Sequence, residues 1–161
     1  MHLCRDNLFN MMKLNHYLLL FLLAASILTV ASCKKEDQDE IDQQLIEDFI
    51  NEHQLDADST ASGLYYVIDV PGSSEHPTID SEVTIDYIGF MLNGDVFDSN
   101  VNVTFPLNAL ILGWQEGIPL FGKGGSGLLI VPSRLGYGER RVGTIPPNSV
   151  LVFEIHLNNF H

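Results

Sequence analysis

After Gly63 the hydrophobic residues recur with period two in run after run, and this property most narrows what the chain can fold into. In EVTIDYIGFML (82–92), Val83, Ile85 and Tyr87 alternate with Thr84, Asp86 and Ile88; in SVLVFEIHL (149–157) the alternating set is Leu151, Phe153, Ile155 and Leu157. Successive side chains of a strand point to opposite faces, so each run reads as a strand with one face inward. LYYVIDV (64–70), which ends at Pro71-Gly72, and LLIVPS (128–133) read the same way. Asn93-Gly94, ahead of Asp95-Val96-Phe97, predicts a hairpin turn of type I′. Between the central runs, LNALILGWQEGIPLF (107–121) offers one short helix, with Pro119 at or near its end. The expected fold class is α+β, with antiparallel strands around a single short helix.

The first 62 residues follow different rules. YLLLFLLAASILTVA (17–31) is uncharged and apolar, preceded by Lys13 and His16 and followed by Ser32, Cys33 and Lys34-Lys35-Glu36-Asp37. Its length suits the h-region of a signal peptide better than a spanning helix. Val30-Ala31-Ser32-Cys33 resembles a bacterial lipobox, in which small residues admit the peptidase and the Cys receives the lipid. The reading is a signal peptide over 1–32, lipidation of Cys33, and a protein lipid-anchored in a bacterial cell envelope, on the periplasmic side or the cell surface. An uncleaved membrane anchor is the alternative. Met11-Met12 also looks like a more usual signal start. Cys4 would leave with the signal, so the folded part has no cysteine for a disulfide or a thiolate metal site.

Residues 33–61 form an acidic tether containing an amphipathic helix, with Ile41, Leu45, Ile46, Phe49 and Ile50 as its apolar stripe. A solvated helix is the plain expectation, and a partner surface the minor one. The whole chain carries 21 Asp/Glu against eight Lys/Arg; without Asp6, Arg5 and Lys13 the mature chain has 20 against six, a net charge near −14. Nucleic acid is excluded as a partner, because phosphate contacts need clustered cations.

Several familiar motifs fail on context. Gly122-Lys-Gly124-Gly-Ser-Gly127 matches a dinucleotide fingerprint, which has meaning only ahead of a helix; here a β-rich run follows, and the glycines read as a mobile or tight loop. Gly117-IPLF-Gly122-Lys123 lacks the Ser/Thr of a phosphate-binding loop and holds bulky apolar residues. The six histidines include no pair at metal-ligand spacing, and Ser99 next to Asp98 does not make a triad. No cofactor and no metal are expected.

Aromatic residues in short, distinctive contexts remain: Tyr87 in VTIDYIG, Phe97 and Asp98 in GDVFDSN, Trp114 in LILGWQEG, Tyr137 in LGYGE, and Ile145 to Phe153 in IPPNSVLVF. Together and in this order, over residues 62–161, they resemble the FKBP family of peptidyl-prolyl cis-trans isomerases. The resemblance implies a strongly bent antiparallel sheet, a half-barrel, wrapped over the short helix with an apolar cleft between them. Carried over by motif, the pocket comprises Tyr87, Phe97, Asp98, Leu110, Ile111, Trp114, Tyr137, Ile145 and Phe153. Tyr137, Asp98 and Ile111 would hold the catalytic roles. The Tyr137 hydroxyl and the Ile111 N–H would bind substrate carbonyls, and Trp114 would form the floor. Proline-containing polypeptides are the implied substrates, with exported proteins as the implied folding clients, and the family's macrolides the implied inhibitors.

The chemistry fits the residues. Rotation about a prolyl amide requires breaking resonance, a barrier of about 18–20 kcal/mol, but no proton or covalent bond is exchanged. A dry aromatic pocket disfavours the planar, more polar amide. Departures from the family are Val103, where a second pocket aromatic is common, Thr144 in place of an aliphatic residue, and Arg140-Arg141 at the rim. A polypeptide-binding chaperone module with little isomerase activity is the alternative function. A carrier of small apolar ligands fits the cleft but not the ordered motifs.

Overall fold

In the computed structural model, described here for residues 37–161, the first element is helix α1, Gln38–His53. Asp37 caps it by accepting from the Asp39 N–H, and Asp39 and Glu40 place negative charge in its first turn. The helix ends at Gln54, whose left-handed backbone (φ 53°) lets the Leu55 N–H reach Ile50 O at 3.0 Å.

The strands follow as β1 (Asp58–Ser59), β2 (Tyr65–Val70), β3 (Glu82–Met91), β4 (Val96–Pro106), β5 (Ser126–Val131) and β6 (Leu151–Phe160). They form one antiparallel sheet in the order β1-β2-β5-β6-β3-β4. The short helix α2, Leu112–Gly117, lies between β4 and β5 in sequence, flanked by single 3₁₀ turns at Leu107–Ala109 and Ile118–Leu120. Pro119 falls in the second turn, just past the helix, where its missing N–H removes no helical bond. The α+β architecture expected from the runs is therefore present, as one antiparallel sheet with the short helix between β4 and β5 in sequence.

Alternation along the strands separates two apolar clusters. On one face Val83, Ile85, Leu129, Val131, Leu151, Phe153, Ile155 and Leu157 pack with Trp114 and Ile118 of the α2 region. The glycines either side of Trp114 let the helix lie against β5. A Cβ on Gly113 would stand 2.5 Å from Val131 Cγ1, and one on Gly117 2.7 Å from Leu129 Cδ1. On the other face Ile46 packs with Ile130, Val150 and Val152, with Phe49 and Ile50 alongside.

Helix α1 is therefore packed on the sheet rather than solvated, and its inward face differs from the stripe expected. Leu45 is exposed, and Asp42, wholly buried, stands in the inward row with Ile46. The Asp42 carboxylate accepts the Ser133 N–H at 2.7 Å and the Gln38 side-chain amide at 2.8 Å. Buried carboxylates persist only where such donors replace water. Arg134 adds an ion pair with Asp39 at 2.9 Å and donates to Ser62 O.

The Asn93-Gly94 turn joins β3 to β4, but not as type I′, which needs positive φ at both central residues. Only Gly94 has it (φ 85°); the Gly94 N–H bonds Met91 O at 2.8 Å and the Met91 N–H bonds Asp95 O at 3.0 Å. The glycines of 122–127 make a tight loop, closed by Gly122 N–H to Pro71 O and Gly125 N–H to Gly122 O, both 2.8 Å, and leading into β5 rather than a helix. The apolar run 17–31 and Cys33 lie outside the described residues. Among the described residues no helix is long and apolar enough to cross a membrane, and no His, Cys, Asp or Glu group is placed to hold a metal.

Candidate active site

The site owes its composition to two irregularities in β4. A regular strand would send Phe97 and Asp98 to opposite faces. The ladder pairs Gly89 with Asp98 and Phe90 with Val96, leaving Phe97 as an extra residue, and both side chains then line the same cavity. A second bulge sets Asp86 against both Val101 and Asn102, because Tyr87 pairs with Asn100 and Ile85 with Val103. Asn102 takes the left-handed conformation (φ 53°), and its N–H is held by Asp86 Oδ1 at 2.6 Å. That bulge switches the inward parity of β4 from Asp98 and Asn100 to Val103 and Phe105.

The cavity has a volume of about 440 Å³. Tyr87 and Phe153 come from β3 and β6, Phe97, Asp98 and Phe105 from β4, and Leu110, Ile111 and Trp114 from the entry to α2. Tyr137 and Ile145 come from the segment between β5 and β6. All nine residues carried over by motif therefore line one space. Phe105, Ala109, Val142, Gly143 and Thr144 line it too and were not expected. Phe105 stands two residues past Val103, on the same side of the bulge, so an aromatic faces the cavity although Val103 is not one. Trp114 and Phe105 have ring centroids 6.5 Å apart.

Trp114, 4% exposed, is the centre of a set of edge-to-face contacts: 5.0 Å to Tyr87 and 5.0 Å to Phe153, with Phe97 a further 5.6 Å from Phe153. These tilted geometries set the positive edge of one ring on the negative face of the next. Gly89 makes room for them, since a Cβ there would lie 2.6 Å from the Phe97 ring and 2.9 Å from that of Phe153. Trp114 Nε1 is buried without a hydrogen-bond partner among the described residues. A lone buried donor is unfavourable by about 1–3 kcal/mol, which a packed core ordinarily avoids.

Polar groups from β3 and β4 form one hydrogen-bonded network. The Tyr87 hydroxyl donates to Asp98 Oδ2 at 2.6 Å and accepts from Asn100 Nδ2 at 3.0 Å, while Asp98 Oδ1 accepts the Ser99 N–H at 2.9 Å. Asp98 is thus oriented through both oxygens, and Asn100 is a member of this network that single-residue motifs did not reveal. Burial, and secondarily the Asp98 charge, raise the pKa of the Tyr137 hydroxyl above its ordinary value; burial is also the chief cause of the rise at Tyr87. Both phenols keep their protons at neutral pH. Tyr137 differs in that its hydroxyl has no partner among the described residues, so it has a donor to offer.

Ile111 precedes α2 as its N-cap, with extended backbone (φ −61°, ψ 151°). Its carbonyl accepts the Trp114 and Gln115 N–H groups. The segment 138–145 folds back on itself through paired bonds between Val142 and Ile145, 3.1 and 2.9 Å, and brings the exposed Thr144 and the buried Ile145 to the cavity lining.

Comparison with known proteins agrees with this geometry. Residues 73–158 match the family described as FKBP-type peptidyl-prolyl cis-trans isomerase. The chain is 46% identical over 103 residues to FkpA of Buchnera aphidicola from Schizaphis graminum, covering 61% of this chain and 41% of that protein. It is 38% identical over 130 residues to FkpA of Aeromonas hydrophila, covering 76% and 48%. Among solved structures, FkpA from Escherichia coli superposes with a TM-score of 0.69 at 26% identity, over 99% of this chain and 83% of that one. The chain spans less than half the length of these two curated relatives. An aromatic cleft built from those motifs in that order, on that sheet, places the chain in the FKBP-type peptidyl-prolyl cis-trans isomerase family.

Proposed function

We propose that this domain isomerises X-Pro peptide bonds in exported polypeptides, using the Trp114-floored cavity to desolvate and twist the amide. The observation that carries the reading is the pairing of an apolar aromatic floor with a free hydroxyl donor, Tyr137, at its wall. A planar amide is more polar than a twisted one, so removal from water into this cavity raises the ground state more than the transition state. The Tyr137 hydroxyl and the Ile111 N–H hold the flanking carbonyls in the twisted geometry. Asp98, fixed by Tyr87 and Ser99, supplies a negative charge beside the rotating bond. Lowering the barrier by roughly 5–7 kcal/mol converts an uncatalysed time of tens to hundreds of seconds into about hundreds of turnovers per second.

The test is a prolyl isomerisation assay on a short peptide. The wild-type chain is expected to accelerate it well above background, and Tyr137→Phe to lower kcat/KM by roughly three- to tenfold, the loss of one hydrogen bond. Turnover at background, with unfolded-protein binding retained, would identify a chaperone module instead. The family's macrolides are expected to compete for the same cavity.

The reading extends to location. Lipidation at Cys33 after removal of residues 1–32 would hold the domain at a membrane of the bacterial cell envelope, on the periplasmic side or the surface. Cys33→Ser is expected to move the protein from the membrane to the soluble fraction. An unchanged membrane fraction would show that the apolar run itself is the anchor.

A further inference from the structure

A second cavity, of about 430 Å³, opens beside the first and shares Ala109, Leu110, Ile111 and Tyr137 with it. The shared residues include both proposed carbonyl-binding groups, those of Ile111 and Tyr137. Its lining differs from that of the aromatic cleft in including two arginines, Arg134 and Arg140. Residues 37–161 contain four Lys/Arg (Lys123, Arg134, Arg140 and Arg141) against 19 Asp/Glu. In so acidic a chain, half of those cations stand at one small cavity.

The two arginines are in different states. Arg134 is committed: its Nε lies 2.9 Å from Asp39 Oδ1, and its Nη2 donates to Ser62 O. Arg140 is exposed and forms no ion pair with a described carboxylate. Its backbone N–H and its Nε both point to Tyr137 O, at 3.3 and 3.5 Å, which seats it directly behind the hydroxyl-bearing residue. Its charge reaches the site, opposing the rise that burial causes in the Tyr137 pKa.

Resting on the isomerase reading above, we propose that this second cavity is a flanking subsite for the same polypeptide and that Arg140 selects an acidic residue there. An extended chain advances about 3.3 Å per residue, so the side chain two or three positions from the proline reaches the neighbouring cavity. A carboxylate arriving there meets a guanidinium without an ion-pair partner, whose two Nη groups are left to donate to it. A Lys at the same position meets like charge.

The experiment uses the full chain and peptides that differ only in Glu, Gln or Lys two or three residues from the proline, placed before or after it. Wild-type kcat/KM is expected to rank Glu over Gln over Lys on one side of the proline, with roughly a three- to tenfold span at low salt that shrinks as salt is added. Arg140→Gln is expected to compress that span to within about twofold, while Arg140→Lys preserves the ranking. A span that survives in Arg140→Gln, or no ranking on either side of the proline, overturns the subsite with the isomerase intact. Failure of the wild-type chain to accelerate even the Gln peptide overturns both.

Discussion

Trp114→Leu is expected to lower kcat/KM for a neutral proline peptide at least about tenfold, while the domain remains folded at a temperature well below its Tm. Tenfold corresponds to about 1.4 kcal/mol of transition-state stabilisation. The indole makes edge-to-face contacts with Tyr87 and Phe153 at 5.0 Å each and lines the cavity. Such pairs contribute about 0.5–1.5 kcal/mol each beyond the area they bury. Leucine fills part of the volume but offers no flat face to the prolyl ring and no edge to the neighbouring aromatics. Stability falls as well, because a buried large side chain is shortened among packed neighbours, and about 2–3 kcal/mol is expected. Measuring kcat/KM together with a thermal melt separates the two effects. Undiminished turnover in a folded variant would remove Trp114 from the substrate-binding surface.

Asp42→Ala is expected to have the largest effect on stability of any polar substitution in the domain, roughly 2–4 kcal/mol, or about 10 °C in Tm. The carboxylate is wholly buried and accepts the Ser133 N–H at 2.7 Å, 91 residues away in sequence. Removing it leaves that N–H in a dry site with nothing to receive it. Ser133 is also an anchor for the segment that carries Tyr137, since its carbonyl accepts the N–H groups of Gly136 and Gly138 at 3.0 and 2.8 Å. A Tm within about 2 °C of wild type would show that water or a shifted side chain satisfies Ser133 unaided.

These two residues also mark how far sequence reasoning reaches. Trp114 was legible because its context, LILGWQEG, is distinctive and because the strands around it alternate regularly. The strand runs, the short helix and the nine pocket positions share that legibility, since each rests on local period or local motif. Asp42 was not legible. In QDEIDQQLIEDF it reads as one more acid on a wet face, and only the long-range arrival of Ser133 makes it an inward residue. Phe105 was missed for another physical reason. Period-two counting from Asp98 puts it on the outer face, and the bulge at Val101–Asn102 brings it inward. The turn at Gly94 was placed correctly but given the wrong type, because the Asn-Gly preference does not report how the following residues pair.

The bulges of β4 have a consequence at the other side of that strand. Among the described residues it is the last strand of the sheet, 11 residues of backbone with no neighbour beyond it, and Val101 there is 81% exposed. An unbroken edge of that length is a template on which a foreign strand can add itself. The domain is proposed to handle unfolded chains, which carry many segments able to do so. Two breaks in the ladder, at Phe97 and at Val101–Asn102, and Pro106 at the end leave no regular stretch long enough to nucleate such pairing. The same kinks that fill the cleft thus interrupt the edge on which the polypeptides it is proposed to serve would otherwise pair.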